Sequence, residues 1–282
     1  MFIDTHAHVN FKDYKEDADE VIRRALDNDT WMILVGSESK TSNRALTYAN
    51  KYERGVYAAI GLHPIHLHEG EIDTSDISSN TYNAIAEEFD YGSYEKLAKF
   101  EKVVAIGEIG LDYYHLDPHA DIPAIKKKQK EVFLKQLILA RSLELPVIIH
   151  CRQAHDDLYQ VLSDFKKDYA HLLPSGEAWG VIHCFSGDED LAWEYFQLGL
   201  LISFTGLITF SQQWDDLIRK IPIERLMIET DSPYMTPEPY RGRRNEPLLV
   251  QYVAKRIAEI KNMKIEKVAE VTSATARKLF RI

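Results

Sequence analysis

Two histidines separated by a single residue, His6 and His8, are the first groups in the chain able to do chemistry. Side chains alternate along a β-strand, so residues i and i+2 share a face, and two imidazoles so placed can grip one cation. Further on come Glu108, within Gly107-Glu108-Ile109-Gly110-Leu111-Asp112, then His150, His183 and Asp231. Each ends a short apolar run. Four imidazoles and two carboxylates suit Zn²⁺ or Mn²⁺, and Mg²⁺ where substrate oxygens complete the shell. An H-x-H pair alone arises often by chance, and a histidine at a strand end is commonly a hydrogen-bonded structural residue. Ligand-type residues at five separate strand ends point instead to one shared rim. Divalent cations held there would make water nucleophilic near neutral pH.

The elements that must carry these residues are legible as eight apolar runs, each followed by a helical pattern. They are Phe2-Ile3-Asp4, Met32 to Val35, Val56 to Ile60, Val103 to Ile106, Pro146 to Ile149, Gly180-Val181-Ile182, Leu200 to Ser203 and Leu226-Met227-Ile228. Continuous apolar strands alternating with helices indicate a parallel sheet covered by helices. Eight such units predict a closed (β/α)₈ TIM barrel of one domain over residues 1–282, matching the usual length of about 250 residues. In such barrels the site lies at the C-terminal ends of the strands, where the candidate ligands stand. Leu158, Val161, Leu162 and Phe165 follow helical spacing, as do Ile265, Val268, Thr272, Ala276 and Leu279. The connection from His63 to about Tyr94 is long, acidic and rich in Ser and Asn, with a short helix expected over Asn80–Phe89.

Composition limits the function classes. The chain is 45% hydrophobic, enough for a large core, and carries a net charge of −10. An acidic surface disfavours broad, sequence-independent binding of nucleic acid, although bound divalent cations reverse the sign locally. No stretch reaches the roughly 18 apolar residues of a membrane span, and no secretory leader is expected. Two cysteines, Cys151 and Cys184, make no disulfide framework, so a reducing cytoplasm is the expected compartment. No obligate protein partner is evident.

Taken together the motifs resemble the amidohydrolase-type barrel, and more closely the TatD-type metal-dependent deoxyribonuclease family. The matching segments are Asp4-Thr5-His6-Ala7-His8, Gly61-Leu62-His63-Pro64, Gly107 to Tyr114, His150-Cys151-Arg152, His183-Cys184-Phe185-Ser186-Gly187, Glu229 to Tyr234, and Arg241 to Pro247. They span almost the whole chain. The resemblance implies two divalent metal ions (Mg²⁺, Mn²⁺ or Zn²⁺): one on His6, His8 and Asp231, the second on His150 and His183, with Glu108 bridging both. It implies hydrolysis of phosphodiester bonds in DNA, exonucleolytic on ends or single strands. Asp231 would ligate metal and take the proton of the attacking water. Arg152 and Arg244 would hold phosphate oxygens with fork geometry, and His63 would touch the phosphate or leaving group. One departure is visible: the family's His-Ser-Arg-Asp-Ala reads His150-Cys151-Arg152-Gln153-Ala154 here, without the acid. Competing activities are hydrolysis of a small amide, ester or lactone, of an aminoacyl ester on RNA, or metal binding without catalysis.

Other residues read more plainly. Cys151 and Cys184 each follow a candidate ligand, so alternation turns them toward the helices as small core residues. Glu229 either orients a ligand histidine or pairs with an arginine, and Asp112 orients a ligand or holds a turn. Tyr113 and Tyr114 either stack bases or pack under a loop. His66, His68, His115, His119, His155 and His171 are expected in solvent, as are Lys126, Lys127, Lys128 and Lys130.

Overall fold

A computed structural model describes residues 1–72, 82–84 and 86–282. In chain order the strands are β1 (Phe2–Ala7), β2 (Thr30–Val35), β3 (Val56–Ile60), β4 (Gly70–Ile72), β5 (Tyr82–Ala84), β6 (Val103–Asp112), β7 (Val147–Arg152), β8 (Gly180–Ile182), β9 (Leu200–Phe204) and β10 (Leu226–Ile228). The helices are α1 (Ala18–Leu26), α2 (Ser39–Ala49), α3 (Tyr91–Ala98), α4 (Ile122–Ser142), α5 (His155–Asp168), α6 (Glu189–Leu198), α7 (Asp215–Lys220), α8 (Val250–Lys261) and α9 (Ile265–Phe280). Eight parallel strands form one sheet in the order β1-β2-β3-β6-β7-β8-β9-β10. All eight predicted strands are present, and the fold is the expected (β/α)₈ barrel. The helix expected over Asn80–Phe89 is not formed across its described part. Tyr82–Ala84 instead pairs antiparallel with Gly70–Ile72; residues 80, 81 and 85 lie outside the described residues.

The sheet closes at its rim. The His8 N–H donates to Ser232 O (2.8 Å), the Asp231 N–H donates to His6 O (2.9 Å), and Ala7 bridges Ser232. Buried Asp4 reinforces the seam by accepting the Thr230 N–H (2.9 Å) and hydroxyl and the His6 N–H (3.2 Å). Closure therefore joins the two segments that carry His6, His8 and Asp231.

Strand alternation places the remaining ligand candidates. Ile148, Val181, Leu201 and Met227 belong to one apolar cluster with Ile3, Ile33, Val35 and Ala59. Two residues further along the same faces stand His150, His183, Ser203 and Glu229. The apolar layer thus lies beneath a polar layer on the same strands. In β1 the spacing differs: Ile3 and His6 are three apart, and pairing with β2 shifts register between Asp4 and Ala7. The β6–β7 register likewise shifts between Ile106 and Ile109, on either side of Glu108. Such irregularities re-aim a side chain, and both coincide with ligand candidates. Gly110 is needed beside them: its φ is +143°, and a Cβ there would lie 2.0 Å from His150 O.

The helices cover the barrel as their periodicity predicts. Leu158, Leu162 and Phe165 of α5 and Val268, Thr272 and Ala276 of α9 are buried. The lysines at 126–130 lie within α4, inward of its Asp121 cap. They are not wholly solvated: Lys128 meets Glu88 and Lys130 meets Asp157. No helix among the described residues is long and apolar enough to cross a membrane.

Asp4→Ala should lower unfolding free energy by about 2–4 kcal/mol, because several buried donors at the seam lose their acceptor. Urea denaturation reads this directly, and an unchanged midpoint would show that the seam holds without it.

Candidate metal centre

The side chains at the rim converge as the strand ends require. His6 Nε2 lies 3.0 Å from His8 Nε2, 3.4 Å from Glu108 Oε2 and 3.8 Å from Asp231 Oδ1. His8 Nε2 lies 3.4 Å from Asp231 Oδ1 and 3.7 Å from Glu108 Oε2. On the other side of the same carboxylate, Glu108 Oε1 lies 2.8 Å from His183 Nε2, 2.9 Å from His150 Nδ1 and 3.3 Å from His63 Nε2. One carboxylate thus faces two groups of imidazoles, one with each oxygen. The donor set fits divalent cations: nitrogen and carboxylate oxygen atoms are crowded together in a buried pocket, an arrangement that mutually repelling lone pairs alone would not favour.

Two of the imidazoles have the far nitrogen hydrogen-bonded, which sets the near one, and a third has it beside a carboxylate. His8 Nδ1–H donates to Val35 O (2.9 Å), leaving the Nε2 lone pair turned inward. His183 Nδ1 faces Glu229 Oε1 at 3.4 Å, and Glu229 in turn accepts the Cys184 N–H (2.7 Å) and the Ser203 hydroxyl (2.6 Å). His150 Nε2 meets Asp112 Oδ2 at 3.0 Å, leaving Nδ1 toward Glu108. Of the two readings open for Glu229 and Asp112, the geometry favours orientation of a histidine, and Asp112 also holds the turn. Its Oδ1 accepts the Tyr114 and His115 N–H groups. His63 differs. Its Nδ1 accepts the Ile65 N–H (3.2 Å), so Nε2 carries the proton and points a donor, not a lone pair, at Glu108.

The electrostatics follow from burial opposed by neighbours. Burial works against the Glu108 charge, but His63, His183, His6 and the His150 hydrogen bond outweigh it and hold the carboxyl well below its usual range. Burial likewise opposes Asp231, yet the His8 hydrogen bond and the charges of His6 and His183 keep it low. Asp112 is held well below its ordinary value against burial by His115 and His150. His63 is pushed down to about 4, chiefly by burial, and is neutral at pH 7. Both thiols are pushed up to about 12 by burial, so neither supplies a thiolate. Neither cysteine belongs to a metal-suited group among the described residues.

Several expectations need correction. Arg244 does not offer its fork to the rim. It forms a bidentate salt bridge with Asp17, donates to Asp13 O (2.7 Å), and lies over the Tyr14 ring at 4.3 Å. The carboxylate takes the geometry expected for phosphate. Arg152, two residues beyond His150 on β7, stacks over the exposed Tyr114 ring at 4.2 Å. Tyr113 is half-buried, its hydroxyl 2.6 Å from Asp157. Four histidines expected in solvent are not there. His66 is buried, and burial pushes it down to about 3. His68 is half-buried, His115 bonds Asp112 at 2.8 Å, and His155 meets Tyr195 and Cys151 at 3.0 and 3.3 Å. Gln129, which sequence reasoning missed, pins both the N–H and the C=O of Asp112 (each 2.9 Å) from the buried side of α4. A polar residue on an apolar helical stripe was its only signal.

With this geometry in place, comparison with known proteins is decisive. The family described as TatD related DNase matches residues 3–281. The chain belongs to the TatD family. It is 39% identical over 285 residues to an uncharacterized metal-dependent hydrolase, YabD, of Bacillus subtilis, covering all of both chains. It is 31% identical over 276 residues to a protein of Pantoea ananatis named 3'-5' ssDNA/RNA exonuclease TatD, covering 95% of this chain and 94% of that one. Among solved structures, the TatD homologue YjjV of Escherichia coli superposes with a TM-score of 0.80 at 29% identity, covering 100% and 98% of the two chains. The protein is therefore a metal-dependent hydrolase of the TatD family.

Mn²⁺ or Zn²⁺ should raise the melting temperature above that in EDTA, since ligation stabilises only the folded chain. Glu229→Gln should weaken metal affinity by about 10–100-fold in calorimetric titration, as loss of a ligand's hydrogen-bond partner does. Cys151→Ser should leave that affinity unchanged. Equal affinities for Glu229→Gln and wild type would remove the orienting role.

Proposed function

We propose that this TatD-family hydrolase is a nuclease that removes nucleotides from the ends of DNA, single strands above all, using two divalent ions. The observation that carries the reading is the division of Glu108, with Oε2 toward His6 and His8 and Oε1 toward His150 and His183. On this reading His6, His8 and Asp231 would hold one ion and His150 and His183 the second, with Glu108 available to both. Such a pair, when bound, would lower the pKa of water and stabilise negative charge on the phosphoryl group. The rest falls to the chain itself. Asp231, whose Oδ1 faces His6 and His8, is ionised and accepts the proton of the attacking water. The water oxygen forms a bond to phosphorus as the bond to the leaving oxygen breaks. His63, neutral with its Nε2–H turned inward, donates a hydrogen bond to a phosphoryl or leaving oxygen. Arg152 grips a phosphate beside His150, and Tyr114 beneath it offers a face to a base. Arg244 acts at one remove, tying the segment after β10 to Asp17. Support for nucleic acid as substrate comes from the family match and from the exonuclease named among the relatives.

The purified protein should shorten 5′- and 3′-labelled single-stranded DNA in Mg²⁺ or Mn²⁺, and EDTA should abolish this. Asp231→Asn should reduce kcat by roughly 100-fold or more, the usual scale for loss of a positioned base. Glu108→Ala should reduce it at least as far, and Cys184→Ala should leave it near wild type. Wild-type digestion by Glu108→Ala would sink the bridging assignment. Turnover of aminoacyl-RNA or a lactone, with DNA left intact, would replace the nuclease reading.

A further inference from the structure

Beside the metal centre lies a cavity of about 440 Å³ lined by Phe11, Lys12, Lys15, Lys40, Arg44 and Tyr48. That volume falls in the range of small-ligand pockets, roughly 300–1,000 Å³. Among the described residues its lining holds four cations, two aromatic rings and no carboxylate, in a chain with 44 acidic and 34 basic residues. Two elements build it. The segment just after His8 supplies Phe11, Lys12 and Lys15, while α2 supplies Lys40, Arg44 and Tyr48 at intervals of four, on one helical face. Lys40 and Arg44 are like charges at i,i+4, an arrangement that costs a little helix stability. Arg44 donates to Asn10 O (2.9 Å), so its position is fixed by a carbonyl and its charge is not cancelled there. Lys15 has Glu16 at 3.7 Å, but both are highly exposed and such a pair is weak. The acid on the edge of α2, Glu38, is engaged in the helix capping box and also lies within reach of the charges of Lys40 and Arg44.

The cavity shares a wall with the catalytic rim. The Phe11 ring stacks on His8, with centroids 4.2 Å apart and planes inclined by 22°. We propose that this cavity is a nucleotide subsite for single-stranded nucleic acid. A phosphate lies among Lys12, Lys40 and Arg44, and an unstacked base lies against an aromatic wall, beyond the phosphodiester held at the metal centre. Rings and cations interleaved in this way bind single strands of any sequence. The inference rests on the nuclease reading for the direction in which the strand runs, but binding at the cavity is separable from cleavage.

The test uses the metal-loaded protein and two probes. One is a fluorescent phosphorothioate oligothymidylate, which resists cleavage and reports binding by anisotropy. The other is bis(p-nitrophenyl) phosphate, which is small enough to engage the metal centre alone. Lys12 and Lys40 are exposed, so replacing both by Ala leaves the fold intact. The double variant Lys12→Ala/Lys40→Ala should flatten the slope of log Kd against log salt by about 0.7, the contribution of the one single-strand phosphate that is no longer neutralised. Its kcat/KM for an ordinary DNA oligonucleotide should fall on the order of tenfold, with hydrolysis of the small diester unchanged. Lys12→Arg/Lys40→Arg should restore both. An unchanged salt slope, a wild-type protein that does not bind the oligonucleotide, or parallel loss of both activities would overturn the subsite. Salt-dependent binding lost in the double variant, with neither substrate cleaved by wild type, would uphold the subsite and refute the nuclease reading instead.

Discussion

A carboxylate in the interior, shared by imidazoles on both sides, is the constraint on which this structure turns. Glu108 is almost fully buried, and burial by itself would neutralise it. It stays charged only because ring nitrogens of His6, His63, His150 and His183 stand within 2.8–3.4 Å of its oxygens. Those rings come from β1, from the segment after β3, from β7 and from the end of β8. A displacement of about 1 Å at any of them would weaken the compensation while leaving the desolvation cost in place. The frame must therefore be closed and stiff at its upper rim. The seam hydrogen bonds of His8 with Ser232 and Asp231 with His6 provide this where it is needed. The Glu108 N–H bond to Gly36 O (3.0 Å) holds the irregular part of β6 against the end of β2.

Behind the ligand candidates stands a second set of groups whose task is to decide which ring nitrogen carries a proton. Val35 O, Glu229 and Asp112 do this for His8, His183 and His150. Each carboxylate is itself fixed: Glu229 by Ser203 and the Cys184 N–H, Asp112 by the Tyr114 and His115 N–H groups, while Gln129 holds the main chain of Asp112. A tautomer left free would offer a cation an N–H half the time, so this outer layer determines ligand competence as much as the nitrogen itself does. His63 obeys the same logic with the opposite outcome. Its acceptor nitrogen faces the backbone, so what reaches the pocket is a donor.

How much of this was legible in the sequence depends on the range of the interaction. The strands were readable because each is buried on both faces and so appears as an unbroken apolar run. The ligand candidates were readable because a polar residue ending such a run is conspicuous, and the family resemblance supplied their grouping. The fate of Arg244 was not readable: its partner, Asp17, is more than two hundred positions away, and nothing local separates a guanidinium bound to carboxylate from one awaiting phosphate. His66, His115 and His155 look like loop histidines until the tertiary fold buries them or gives them partners. Gln129 sits on an apolar stripe, where polarity reads as an exception, although its two bonds to Asp112 explain it fully. Over Tyr82–Ala84 the composition suggested a helix, but pairing with Gly70–Ile72 overrode local propensity.

The charge balance ties the site to the surface. A chain of net charge −10 repels a polyanion at long range, and at physiological salt that repulsion is screened beyond about 8 Å. What matters is then the charge within a screening length of the scissile bond. There the buried carboxylates are matched by imidazoles and, when loaded, by divalent cations, and the adjoining cavity presents Lys12, Lys15, Lys40 and Arg44. Cationic side chains are thus gathered beside the rim of an acidic chain. On the proposed nuclease reading, such a mouth engages a short segment of the substrate rather than a long one. On that reading the cations gathered beside the rim, rather than the net charge of the chain, govern how a phosphate approaches the metal centre.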